Sequence, residues 1–156
     1  MAEHFSTGDV NISANALKTA YANGVIAIFG GTMPSTSNDT EGSSPLALLT
    51  LNGGAFTAGV ATNGINLSGP VDGVLSKASG ETWSGVGLAA AGTGTQATWF
   101  RHYANAYVTG ASTTAVRYDG AIGTSASFEG ALTNTTIVEG VPVTCNGYTR
   151  TIKRTA

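Results

Sequence analysis

Turn-forming residues recur about every ten positions along much of this chain, and no other feature constrains its fold as strongly. Asn23-Gly24, Gly30-Gly31, Asn52-Gly53-Gly54, Gly69-Pro70, Asp119-Gly120 and Glu139-Gly140 each interrupt short runs rich in Val, Ile, Leu, Thr and aromatic residues. Glycine reaches left-handed backbone conformations without steric cost, and proline fixes φ and removes a donor, so both punctuate strands. Runs this short, closed this often, suit antiparallel strands better than helices. The spacing predicts a mainly-β domain, a β-sandwich of about eight short strands with one N-terminal helix. At 156 residues the chain is long enough for one domain with its own core.

The helix is expected from a cap at Ser13 through Ala14, Ala16, Leu17, Ala20 and Tyr21 to a left-handed stop at Asn23-Gly24. Residues 1–10, polar apart from Phe5, read as a flexible N-terminal arm, and residues 11–156 as the single sandwich domain. Val25 to Phe29 reads as a buried strand and Leu46 to Leu51 as a strand or helical turn. Ala58 to Leu67 reads as a weak strand broken by Gly69-Pro70. Thr98 to Tyr103 alternates most clearly, with Trp99, Arg101 and Tyr103 on one face and Thr98, Phe100 and His102 on the other. Tyr107-Val108 and Val116 to Tyr118 flank a hairpin loop at Thr109 to Thr114. Val141 to Ile152 forms the last strand region, with an interruption at Asn146-Gly147.

Composition narrows the function. Charged residues make up only 10% of the chain, against roughly 25% in an average globular protein. Charge depletion is characteristic of the centres of protein interfaces, so much of this surface is expected to meet protein. The seven basic residues are scattered except for Arg150, Lys153 and Arg154, and no basic stripe suited to nucleic acid exists. No run of 18 apolar residues is present, so no membrane-spanning helix is expected. The first residues carry neither a charged n-region nor an apolar h-region, which predicts synthesis in a cytoplasm.

Candidate chemistry is sparse. His4 and His102 are the only histidines, Cys145 is the only cysteine, and the nine carboxylates are spread singly. Asp39 and Glu41 offer too few oxygens for calcium. Ser125 lies in Gly123-Thr124-Ser125-Ala126, which departs from the nucleophile elbow. Gly85-Val86-Gly87-Leu88-Ala89-Ala90 mimics a dinucleotide fingerprint without a clear preceding strand. No enzymatic activity, cofactor or metal is expected. One rival reading is a carbohydrate-binding module, with Trp83, Trp99, Tyr103, Tyr107 and Tyr118 as a stacking platform; the alternative is that Trp99 and Phe100 straddle the sheet and fill the core.

Three stretches carry a resemblance. Ile26 to Pro34, with the leucine-rich Leu46 to Leu51, resembles a strand, a G-T-x-P loop and a second strand. Gly94 to Arg101 resembles a G-T-A-x-W-F-R strand. Asp119 to Ser125, with Thr135 to Gly140, resembles a D-G-x-x-G-T-S segment and a closing hairpin. In this the chain resembles small virion structural proteins of tailed bacteriophages. The resemblance implies a non-enzymatic virion component, foremost a capsid decoration or cement protein, and otherwise a neck or tail component. It implies the major capsid protein or other virion proteins as partners. Closed symmetry at three-fold lattice positions would suit a homo-oligomer, a trimer foremost. The candidate protein-contact residues are Phe5 on the arm and Thr109, Ser112 and Thr113 on the hairpin loop.

Overall fold

The computed structural model describes residues 4–153. Its one α-helix, α1, spans Thr7–Ala20. The helix starts earlier than a Ser13 cap would place it, so residues 7–10, expected in the arm, form its first turn. The cause is a capping box: Ser6 Oγ accepts from the Asp9 N–H at 3.1 Å, and the Asp9 carboxylate accepts from the Ser6 N–H at 3.2 Å. Two otherwise orphaned amides are satisfied, and Asp9 also complements the positive helix terminus. Ser13 is exposed inside the helix. The buried stripe is Val10, Ala14, Leu17 and Tyr21, at helical spacing, whereas Ala16 and Ala20 face outward. Asn23 closes this end at φ 57°. Ser6→Ala is expected to lower stability by about 1 kcal/mol, read as an earlier melt; an unchanged melt would show that the box contributes nothing.

Ten strands follow: β1 (Val25–Gly30), β2 (Ala47–Leu51), β3 (Leu67–Val71), β4 (Val74–Lys77), β5 (Trp83–Val86), β6 (Thr95–Tyr103), β7 (Arg117–Gly123), β8 (Gly130–Leu132), β9 (Thr136–Ile137) and β10 (Pro142–Thr151). The mainly-β expectation holds, but the strands do not divide into two facing sheets. They pair in the order β10, β5, β2, β1, β6, β7, β8, and β8 returns to β10, which closes a seven-stranded barrel. The length of β10 makes this possible. Its residues 142–145 bond β5, residues 145–148 bond β8, and residues 149–151 bond β4, which extends to β3. A register shift between Cys145 and Gly147 bends β10 where these roles change. Closure leaves the barrel strands no free edge. The outer edge of β3 is guarded by the Lys18 ammonium, which donates to the Gly69 carbonyl at 3.2 Å, and by Pro70. Thus β3 runs through Gly69-Pro70, which was expected to break a strand.

Two apolar layers sit on either side of one barrel wall. Ile26 and Ile28 of β1 point inward with Phe100 and His102 of β6, Leu49, Trp83 and Tyr148. Val25, Ala27 and Phe29 point outward with Trp99 and Tyr103 and are covered by loops. The two faces read for β6 are therefore correct, and both are buried from Trp99 onward. Close strand approach explains the Gly85-x-Gly87 mimic. A Cβ on Gly85 would lie 2.0 Å from the Leu48 carbonyl oxygen, and one on Gly87 would lie 1.9 Å from that of Val138. These glycines admit backbone, and a single three-ten turn at Ala89–Ala91 follows them rather than a helix.

Candidate functional site

The loops at 31–46 and 104–116 cover the outer wall of β1, β6 and β7, and a set of buried charges fastens them there. Arg101 and Asp119 are direct cross-strand neighbours. The Arg101 guanidinium is 0% exposed and donates from Nε and Nη2 to the two Asp119 oxygens at 2.6 and 2.7 Å. This bidentate geometry is the strong form of an arginine–carboxylate pair. Its remaining nitrogen, Nη1, donates to the Asp39 carbonyl at 2.8 Å and to Glu41 Oε1 at 3.0 Å. Glu41 also accepts from the Tyr103 hydroxyl at 2.6 Å and from the Gly110 N–H at 3.0 Å. Arg117 lies 3.7 Å from Glu41 and donates to the carbonyls of Val108, Gly110, Asn38 and Ser112. One carboxylate from the first loop thus ties two strands to the second loop.

The electrostatics follow from this geometry. Burial alone would raise the Glu41 carboxyl, but the bonds from Tyr103 and Gly110 and the charge of Arg101 outweigh it and hold it below its ordinary value. Burial would lower Arg101, but Asp119 outweighs it and keeps the guanidinium charged. Tyr103 is pushed up by burial and then by its Glu41 acceptor. These are opposed charges locked together, with no open face for a substrate. The sequence reading missed this group. Asp119 reads as a turn residue yet lies within β7, and Glu41 reads as an isolated loop carboxylate.

Of the expected contact residues, Thr109 and Thr113 are exposed on the 104–116 loop. Ser112 is only half exposed and has a structural task. Its Oγ accepts from the Ala115 N–H at 3.0 Å, its N–H donates to the Asn38 carbonyl, and its carbonyl accepts from Arg117. The hairpin itself differs from expectation: β6 and β7 flank a longer loop, and Tyr107-Val108 is not a strand. Beneath the loop lies a shallow depression of about 260 Å³ lined by Tyr107, Val108, Ser112, Thr114 and Val116 among others. Phe5 is 44% exposed just before α1. It stands on a different element from the three loop residues, and no contact joins them into one site.

The aromatic platform is not on the surface. Trp83 is 0% exposed inside the barrel, and its Nε1 donates to Glu81 at 2.7 Å. Trp99 is 1% exposed in the outer layer, stacked on Phe29 at 4.4 Å. Tyr103 is buried in the charge group as well. The pair of tryptophans that a sugar would need is therefore split between two cores.

His102 is wholly enclosed by Tyr21, Trp83 and Tyr148. Its Nδ1 meets the Tyr148 hydroxyl at 3.0 Å, and its Nε2 has no partner. Burial first, and then the Arg150 charge, push the ring down to about 3, so it is a neutral core residue at neutral pH. Arg150 lies between the rings of Tyr21 and Tyr118, 5.0 and 4.5 Å from their centroids. Asp39 does not face a cation; its Oδ2 accepts from Ser35 Oγ and the Thr36 N–H. Among the described residues no three His, Cys, Asp or Glu side chains gather in a metal-binding group.

No known family model, curated protein or solved structure matches this chain.

Proposed function

We propose that this chain is a non-enzymatic structural protein of a tailed-phage virion, a decoration protein that binds the capsid lattice as a small homo-oligomer, a trimer foremost. One observation carries the protein-binding part. The chain is already poor in charge, and it spends Arg101, Arg117, Glu41 and Asp119 beneath its own loops. What remains outside is mostly Gly, Ala, Ser, Thr and Val. Val86 and Val141 are 51% and 50% exposed and adjoin across the β5–β10 pairing, where Pro142 faces Val86. Such a surface loses little solvation when covered and suits the centre of an interface. Two basic residues turned inward also leave less positive surface for nucleic acid.

The virion part rests on the quoted motifs and on physical suitability. A closed barrel with pinned loops is a rigid unit, and rigidity limits the ordering cost of binding a lattice. Several such weak contacts in one oligomer would add by avidity. The test is the number of copies per purified particle of the phage that encodes the chain, measured by quantitative mass spectrometry. A number comparable to that of the major capsid protein is expected. Six or twelve copies would place the protein at the neck or tail instead, and absence from particles would defeat the virion reading.

A further inference from the structure

Four Asn-Gly pairs occur in the chain, at Asn23, Asn52, Asn63 and Asn146. Asn-Gly is the dipeptide most open to intramolecular attack, because glycine has no side chain to hinder the approach of its own nitrogen. The structure distinguishes the four. Asn52 and Gly53 occupy the two central positions of a tight turn, at φ 54° and 68°, closed by the Gly54 N–H donating to the Leu51 carbonyl at 3.0 Å. In such a turn the central peptide N–H, here that of Gly53, is turned away from the closing bond. It donates to no group, the Asn52 carboxamide has no hydrogen-bond partner, and both residues are exposed. The Thr50 hydroxyl holds the Gly54 carbonyl at 2.7 Å and fixes the frame around this free peptide.

The other three pairs lack that combination. The Gly24 N–H is shared between the Tyr21 and Ile65 carbonyls, both at 3.1 Å, and Gly24 is buried. The Asn63 carboxamide donates to the Ala55 carbonyl at 2.8 Å, and Gly64 is buried against Asn23. Asn146-Gly147 is extended within β10, where Gly147 pairs with Ala131.

We infer that Asn52 is the preferred site of spontaneous deamidation in the folded protein. The Gly53 amide nitrogen, having given up its proton to solvent base, bonds to the Asn52 side-chain carbonyl carbon. The bond from that carbon to Nδ2 breaks and ammonia leaves. Water then opens the resulting succinimide at either carbonyl and yields aspartate or isoaspartate. The net change is one water consumed and one ammonia released, with no oxidant or cofactor. Each event adds a negative charge beside a shallow depression of about 160 Å³ lined by Leu48, Gly53, Gly54, Phe56 and Val86. On a surface so poor in charge, this modification would mark the age of the protein at an apolar face.

The test is incubation of the whole folded chain at mildly alkaline pH, followed by peptide mapping and by methylation with a protein isoaspartate methyltransferase. The peptide containing Asn52 is expected to gain one mass unit about tenfold faster than the other three, since those react only through local opening. In denaturant this lead should disappear. Asn52→Gly, which keeps the left-handed turn, should remove most of the methylatable product while the fold persists. Equal conversion at Asn23, Asn63 or Asn146 in the folded chain would overturn the inference. So would a folded Asn52 that stays intact while the unfolded chain converts.

Discussion

Asp119→Ala is expected to lower the unfolding free energy by about 3–5 kcal/mol, as measured by chemical denaturation. Most of that loss would come from what stays behind. Arg101 is fully buried, and without Asp119 its Nε and Nη2 protons lose the acceptors they have in the folded protein. Glu41 cannot compensate, because it already serves Nη1, Tyr103 and the Gly110 amide. Removing the charge and its partner together, as Arg101→Met with Asp119→Leu, is expected to cost less than the single change, since no orphaned charge remains. The effect should depend weakly on salt, because a buried pair is poorly screened. A loss below about 1 kcal/mol for Asp119→Ala would mean that the pair behaves as an exposed one. The Gly110 amide gives a local reading of the same network: its exchange should quicken once the strands release Glu41.

What the sequence made legible was local. The alternation of Thr98 to Tyr103 identified both faces of β6 because a strand's period shows in six residues. The interruption at Asn146-Gly147 matched the bend in β10. Barrel closure was not legible, because a sandwich and a barrel share the same period along each strand. The difference lies in which strands meet along the whole chain, and here β8 closes the wall on β10 through three paired positions, Leu132 with Cys145, Ala131 with Gly147 and Gly130 with Tyr148. The charge group was hidden for the same reason. Glu41 and Arg101 are 60 residues apart, and Asp119-Gly120 resembles a turn to any local rule. In β7, Gly120 is instead required by packing, since a Cβ there would meet the Phe100 ring at 2.5 Å. Ser112 reads as a contact residue from its place in a polar loop, and what no local rule shows is that its hydroxyl also accepts from the loop's own Thr114 and Ala115 amides.

His102 is expected to make the fold sensitive to mild acid. Its ring is held down to about 3 in the folded barrel, against an ordinary value of 6.5 when the chain is unfolded. Above pH 6.5 the ring is neutral in both states and contributes no pH dependence. As the pH falls below that value the unfolded chain takes up a proton that the folded barrel refuses. Stability should then drop by about 1.4 kcal/mol per pH unit, reaching about 4–5 kcal/mol once the folded ring is itself protonated. Glu41 acts in a lower window. Its folded carboxyl lies below the ordinary 4.5, so its stabilisation is intact above that value and is lost only as the pH falls further. Between pH 6.5 and 4.5 the slope should therefore belong mainly to His102. Denaturation midpoints across that interval would measure it. His102→Leu should start less stable, because the Tyr148 hydroxyl loses its partner, yet its midpoint should stay nearly level over the same interval. Parallel slopes for the two proteins, or a His102 ring resonance that titrates near 6.5 in the folded state, would show that protons reach the barrel interior without unfolding it.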